Sequence, residues 1–521
     1  MHRFQLALVA SLLVIPATVW AEVGKGHRIL IDRGLQVQGM VTKDDVFHID
    51  TYKNANYTAV NWLWTSSFPQ LGAQQDFPWA RWVSDENALL TAEEASHKDN
   101  LVGLQLGDEW NLNDAATRDR SVNWFNAIRD QYPNTILSMN NWGGQVADGQ
   151  LIDFVNRAKP DMISFDEYPW KSDYNNRSVP LPPRGSPTSW YGELRRYRDI
   201  TKSAGIPFGI YRQTFHAVQD YDSTVYRVPS PSEMSLNTHG ALAFGAKYLI
   251  DFTYNTGATT MFTPPGGDTT PNAAYAHQAK LNKQARNLGK ALVHLTSIDD
   301  LRRKANPSDP ASPGLSDNPD FPNGYTTNVL FHRGRYGAGT ATEVNPLPVN
   351  FHADPEAVNT YSWWEFNKND PFLSGWGRTN LGTVNDGRVG DVLFSWFKPI
   401  DASLDDPNDR SDQLYLMVVN GLTSPDAAAD CRQLITLDFE KANFPGLLQL
   451  NADTGLVEPV TLTTAGTKWR LSLTLEGGGA TLLKFGSDPK SFIHMVPEPA
   501  GLSLLPLGLL SLRRPARGDA R

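Results

Sequence analysis

The chain has 521 residues, 40% of them hydrophobic and 20% charged, a balance that fits a folded globular protein and excludes bulk disorder. Its net charge is -9 with no long basic run, which argues against nucleic acid as a partner. The single cysteine, Cys431, excludes a disulfide framework, and the length allows roughly two to four domains, one of which can be a barrel of about 250 residues.

Taken in order, the chain opens on His2-Arg3, an apolar run from Leu6 to Val19, and Ala21. A short positive region, an apolar core and a small residue at a cleavage point predict a signal peptide over residues 1–21. Residues 22–303 then alternate short apolar strands with amphipathic helical stretches, the pattern of an α/β fold. Leu35 to Val41 reads as the first strand, with a further short strand from Ile29 to Ile31 ahead of it. Ala59 to Trp64 is the second and Leu101 to Leu106 the third, running into Gly107-Asp108-Glu109-Trp110. Thr135 to Met139 is the fourth, ending in Asn140-Asn141-Trp142. Met162 to Phe165 is the fifth, ending in Asp166-Glu167-Tyr168-Pro169-Trp170. Pro207 to Tyr211 is the sixth, ending in Arg212-Gln213, and Tyr248 to Phe252 is the seventh, with Asp251 near its end. An eighth is expected at Ala291 to Leu295 or near Leu301. Helical spacing links Val122, Phe125 and Ile128, and likewise Trp190, Leu194, Tyr197 and Ile200. This repeat predicts a (β/α)8 TIM barrel rather than an open doubly wound sheet, and no dinucleotide glycine fingerprint follows the first strand.

Residues 304–385 are rich in turn signals such as Asn306-Pro307, Pro313-Gly314 and Asn323-Gly324, and read as a loop-rich extension or linker on the barrel. Residues 386–487 read as strands throughout, with Leu471, Leu473 and Leu475 alternating with Ser472 and Thr474, and predict an antiparallel β-sandwich that braces the barrel. In residues 488–521, Val496-Pro497-Glu498-Pro499 precedes the apolar stretch Ala500 to Leu512 and the basic Arg513-Arg514-Pro515-Ala516-Arg517. This tail resembles the PEP-CTERM sorting signal of Gram-negative-type bacteria. The resemblance implies handling by membrane sorting machinery and delivery to the cell surface or extracellular matrix.

In a (β/α) barrel the residues just past the strand ends meet at one open face. Here those positions carry acids (Asp108, Glu109, Asp166, Glu167 and Asp251), polar side chains (Asn140, Asn141, Arg212 and Gln213) and aromatics (Trp62, Trp64, Trp110, Trp142, Trp170 and Tyr254). A groove with central acids and aromatic walls suits a carbohydrate. Glycoside hydrolysis needs two carboxyl groups, one to protonate the leaving oxygen and one to attack or to activate water. Glu109, at the end of an apolar strand and beside Trp110, is the expected general acid; the alternative is a capping or salt-bridging acid. Asp108 beside it would orient it or the substrate. The second carboxylate lies among Asp166, Glu167 and Asp251. Adjacent strand residues face opposite ways, so Asp166 and Glu167 should not both enter the groove. The aromatics would stack on sugar faces, and Asn140, Asn141, Arg212 and Gln213 would bind ring hydroxyls or an acidic substituent.

This arrangement resembles the glycoside hydrolase (β/α)8 superfamily over residues 27–303. Gly107-Asp108-Glu109-Trp110 is similar to the Gly-x-x-x-Asp-Glu-Pro ending in which the Glu is the proton donor, with Trp110 in place of the proline. Asp166-Glu167-Tyr168-Pro169 is similar to an Asp-x-Tyr-Pro ending of a later strand. The largest glycosidase clan keeps an Asn-Glu pair after its fourth strand and a Glu after its seventh, whereas here Asp108-Glu109 is expected after the third. The resemblance implies hydrolysis of an extracellular poly- or oligosaccharide. Two alternatives share the scaffold: a catalytically inactive surface glycan-binding protein, and a carbohydrate esterase or lyase. No nucleophile elbow, His-Glu-x-x-His motif or cysteine cluster is present, and no metal or cofactor is expected.

Overall fold

The computed structural model describes residues 23–43, 45–63, 77–87, 89–172, 187–218, 225–297, 330–332, 372–387, 389–390, 392–400 and 414–493. The proposed signal peptide, residues 494–521 of the proposed sorting tail, Trp64, and nearly all of the segment 298–371 lie outside these residues.

Eight parallel strands close into a barrel in strict chain order. They are β1 (Gln36–Val41), β2 (Ala59–Trp62), β3 (Trp79–Val83), β4 (Leu101–Leu106), β5 (Ile136–Trp142), β6 (Met162–Asp166), β7 (Phe208–Gln213) and β8 (Tyr248–Phe252). The barrel closes where β8 pairs with β1, Gln36 opposite Tyr248 and Gly39 opposite Asp251.

Three expectations about the strands are corrected. Strand β3 falls between the second and third strands read from the sequence, so every later strand moves up by one place. Arg81 in its centre breaks the apolar run; it is buried nonetheless, because it pairs with Glu94 at 2.5 Å and donates to the Leu89 carbonyl at 2.7 Å. The eighth strand is therefore Tyr248–Phe252. Ala291 lies in the last turn of a helix, and Leu295–Ser297 leaves the barrel to pair antiparallel with Val392–Pro399. Ile29 to Ile31 is not a strand but part of helix α1 (Lys25–Arg33), anchored beneath the barrel by Lys25 Nζ on Asp161 at 2.8 Å.

Side chains alternate along each strand, and the inward set is unusually polar. Asn61 donates to Gln38 at 3.1 Å, and the Tyr211 hydroxyl bonds Gln105. Gly103 and Gly209 leave room across the interior for Tyr248: a Cβ on Gly103 would stand 3.0 Å from the Tyr248 hydroxyl. The outward set is mostly apolar, the buried Arg212–Asp251 pair excepted, and packs on helices between the strands, among them α2 (Ile49–Asn54), α3 (Ala92–Ser96), α4 (Ala115–Ile128), α5 (Asp148–Ala158), α6 (Pro187–Ala204), α7 (Pro231–Phe244) and α8 (Ala273–Leu292).

The C-terminal part is two antiparallel sheets around a second apolar core that includes Phe394, Trp396, Leu437, Phe439 and Phe485. It reaches back across the stretch read as linker: Leu373–Asn380 pairs with Gln433–Glu440, and Leu330–His332 pairs with Val392–Pro399. The sandwich is fastened along α7. Ser230 donates to the Ser424 carbonyl at 2.5 Å, and His239 Nδ1 meets the Gly478 carbonyl at 2.8 Å. Covered by barrel on one side and sandwich on the other, Glu233 to Phe244 are all buried, which explains why so much of this helix is small and apolar.

Candidate active site

The first two carboxyls owe their placement to backbone geometry at the end of β4. Gly107 has φ +73° and Glu109 has φ +50°. A non-glycine residue in the left-handed region costs on the order of 1 kcal/mol. Two hydrogen bonds hold Glu109 there: its N–H donates to the Asn140 carbonyl at 2.9 Å, and its carbonyl accepts from Gln145 Nε2 at 2.5 Å. The turn breaks the strand alternation, so Asp108 and Glu109 both open onto solvent in the barrel mouth.

Asp166, the last residue of β6, brings the third. It is almost wholly buried, and its carboxyl lies within hydrogen-bonding reach of Glu109. Asn140 Nδ2 donates to Asp166 Oδ1 at 2.8 Å and to Asp108 Oδ1 at 3.1 Å. Ser164 Oγ donates to Asn140 Oδ1 at 3.1 Å, and Gln105 Nε2 donates to Asp108 Oδ1 at 2.9 Å. The three carboxyls thus sit in one network carried by β4, β5, β6 and β7.

All three titrate high. Burial, then the neighbouring Glu109 charge, holds Asp166 well above the usual carboxylate range. Burial against the site wall raises Glu109, although its bond with Asp166 pulls the other way. Asp108 is pushed up to about 6, chiefly by the protein packed behind it and opposed by its bonds from Asn140 and Gln105. Groups that keep a proton toward neutral pH beside ionised neighbours are suited to general acid–base chemistry.

The other expected site residues divide in two. Trp142 follows Asn140 by two positions on the inward face of β5 and is half-buried at the mouth. The remainder turn away from the carboxyl network. Glu167 points to the helix side, under Gly143, where an added Cβ would lie 2.7 Å from its Oε2 and 3.0 Å from Glu193 Cγ. Asp251 faces α7 and α8, not the groove. It is wholly buried, paired with Arg212 at 2.7 Å and bonded by the Tyr57 hydroxyl at 2.6 Å. Arg212 in turn donates to Thr238 on α7 and Asn282 on α8.

The Gln213 side chain bonds Trp170 N, Trp170 O and Arg227 O, so it staples loops together. Asn141 does likewise with the Trp110 carbonyl and Gln145. Trp62, Trp170 and Tyr254 are core residues; Trp62 packs edge-on against Phe47 at 4.9 Å. The Trp110 ring covers Gly107, with Trp124 at 5.5 Å and the Arg120 guanidinium stacked at 4.8 Å.

Three residues of the site escaped the sequence reading. Gln105 and Ser164 are strand residues whose only signal is alternation, three and two positions before Asp108 and Asp166. Tyr168 had a stronger signal, the Asp166-Glu167-Tyr168-Pro169 ending. Its hydroxyl is held well above its ordinary range by burial and then by Asp166, with Tyr211, Asp108 and Glu109 contributing. Its ring stacks on Phe252 at 5.8 Å and meets Phe215 edge-on at 4.8 Å, forming an aromatic wall beside the carboxyls.

The strand correction also bears on the resemblance noted from the sequence. Asp108-Glu109 follows the fourth strand, the clan's place for its acid, but β7 ends in Arg212-Gln213-Thr214, with no carboxyl group. The carboxyl that joins Asp108 and Glu109 at this mouth is Asp166, from β6.

Neither a scan against protein-family models nor a search of curated proteins returns a match. Among solved structures, the β-galactosidase of the psychrophilic Marinomonas ef1 aligns with 51% of this chain and 63% of its own, at 11% identity and TM-score 0.38. This chain thus spans less than two thirds of that enzyme. A family 128 endo-β-1,3-glucanase from Amycolatopsis mediterranei, in complex with laminaripentaose, aligns over 47% of this chain and 98% of its own, at 14% identity and TM-score 0.32. An aldolase, QR15, aligns over 42% of this chain and 90% of its own, at 10% identity and TM-score 0.27. Functional argument therefore rests on the side chains of this chain.

Proposed function

We propose that this chain is a glycoside hydrolase in which Glu109 and Asp166 are the paired carboxyl groups. The observation that carries the reading is the Asn140-centred network that brings these two carboxyls within hydrogen-bonding reach at the open end of the barrel, both held above their ordinary range. Glu109, the more open of the two, is the proton donor to the leaving oxygen. Asp166, deeper and held in place by Asn140, is the group that attacks or activates water in its ionised form, which the Asn140 donation favours, while the proton shared by the pair rests on Glu109. Asp108 is the third, supporting acid, and Trp142 and Tyr168 supply flat faces for sugar rings.

The substrate is a poly- or oligosaccharide met outside the cell, a setting supported by the signal-peptide pattern at residues 1–21 and the sorting-signal resemblance over residues 488–521. In this reading the membrane sorting machinery is the second partner. The test is release of reducing ends by the purified chain from a panel of plant, algal and bacterial glycans. Cleavage of any member supports the reading. Tight binding with no release across the panel would replace it with a glycan-binding role.

A further inference from the structure

We propose that Asn140 is a positioning residue rather than a sugar ligand: its side chain ties Asp108 to Asp166, and its carbonyl fixes the backbone of Glu109, so one residue on β5 registers all three carboxyl groups. The proposal rests on the paired-carboxyl reading above and adds how that pair is held.

Four contacts carry it. The Asn140 amide donates to two carboxyl oxygens, Asp166 Oδ1 at 2.8 Å and Asp108 Oδ1 at 3.1 Å. Its amide oxygen is occupied by Ser164 Oγ at 3.1 Å, which fixes the rotor with its nitrogen toward the acids. Its main-chain oxygen accepts from Glu109 N at 2.9 Å, where φ is positive. The residue is 3% exposed, which leaves almost no surface for a ring hydroxyl.

The consequence is electrostatic. Asp166 faces Glu109 and Asp108 from β4, Glu167 from its own strand, Tyr168 beyond it, Tyr211 from β7 and Tyr197 from α6. Burial and the acidic neighbours all favour its neutral form. The donation from Asn140 opposes them at Asp166, and at Asp108 it is the first of two side-chain donations that do so. Without that N–H group, both acids keep their protons to higher pH, while the Glu109 backbone bond, made by a carbonyl, survives a side-chain substitution.

The experiment is a carbon-13 NMR titration of the Asp and Glu carboxyls in the ligand-free full chain, native and Asn140→Ala, with the pH profile of kcat/KM measured in parallel. In Asn140→Ala the Asp108 and Asp166 midpoints are expected to move up by about one pH unit. The acidic limb should follow them, kcat should fall by about 10–100-fold, and KM should change little. Unmoved midpoints would overturn the proposal, as would a raised KM over an unmoved profile, the signature of a lost ring-hydroxyl contact. Should Asn140→Ala fail to fold, Ser164→Ala, which only frees the amide rotor, must give a smaller shift of the same sign, and no shift overturns the proposal. The titration needs no substrate, so it still decides the matter if the panel reveals no hydrolysis.

Discussion

The Glu109 and Asp166 carboxyl groups, carried on the ends of β4 and β6, lie within hydrogen-bonding reach of each other. Two like charges cannot both form cheaply at that distance, so the pair holds one proton over a range where separate carboxyls would both be ionised. The expected pH profile of kcat/KM is a bell whose basic limb lies above the ordinary carboxyl value of about 4. Initial rates at closely spaced pH values check this. Activity that rises through a single step near that value and then stays flat into alkaline pH would contradict it.

Asp108 makes a prediction about stability. Its folded value, about 6, lies above its unfolded one, so the folded chain binds more protons through that window and stability falls as pH rises across it. Asp108→Asn is therefore expected to unfold at a higher temperature than the native chain at pH 7. The gain is about 1 kcal/mol once solvent screening in the open mouth is allowed for. Below the unfolded value the advantage should vanish. Calorimetry at the two pH values reads both.

Asp251 and Arg212 behave differently from mouth residues. Their ion pair is buried between β7, β8 and the helix layer, with Tyr57 and Asn282 completing it. Arg212→Met strands a buried carboxylate and should cost about 3–5 kcal/mol in urea unfolding. The kcat of the fraction that remains folded should stay within a few-fold of native. A stable Asp251→Asn chain with abolished turnover would instead return Asp251 to the chemistry.

Stereochemistry follows from the same contact. Carboxyls about 5 Å apart retain the anomeric configuration, whereas those roughly 6.5–9.5 Å apart leave room for a water and invert it. A pair within hydrogen-bonding reach in the free chain has less far to open for the first arrangement. Proton NMR of the first product formed should show retention; an inverted product would mean that Asp166 activates water.

How much of this was legible beforehand depended on whether a feature was local. The β/α alternation is written in runs such as Leu101–Leu106 and in helices with clear periodicity, and it gave the barrel. Strand β3 was hidden because Arg81 looks like a surface residue, and its partners, Glu94 on α3 and the Leu89 carbonyl, make its burial tolerable. Glu109 stood out because an acid directly follows an apolar strand. The choice between Asp166 and Glu167 turned on where β6 ends, a matter of one residue. Arg212 and Asp251 looked like mouth residues until the register of β7 on β8 put them opposite each other on the outward face. Gln105 and Ser164 gained meaning only from that same kind of register, and Asn140, expected to bind ring hydroxyls, gained its place among the carboxyls from it, because hydrogen bonds between neighbouring strands have no signature within either strand.

The most direct test of the central claim, that Glu109 and Asp166 work as one pair, is kcat/KM for Glu109→Gln, Asp166→Asn and the double variant on a glycan the native chain cleaves. Each single variant should lose at least about 100-fold with its fold intact, and the double should be little worse than the poorer single, because groups acting as a unit are lost together. Near-native activity in either single variant, or losses that simply multiply in the double, would contradict it.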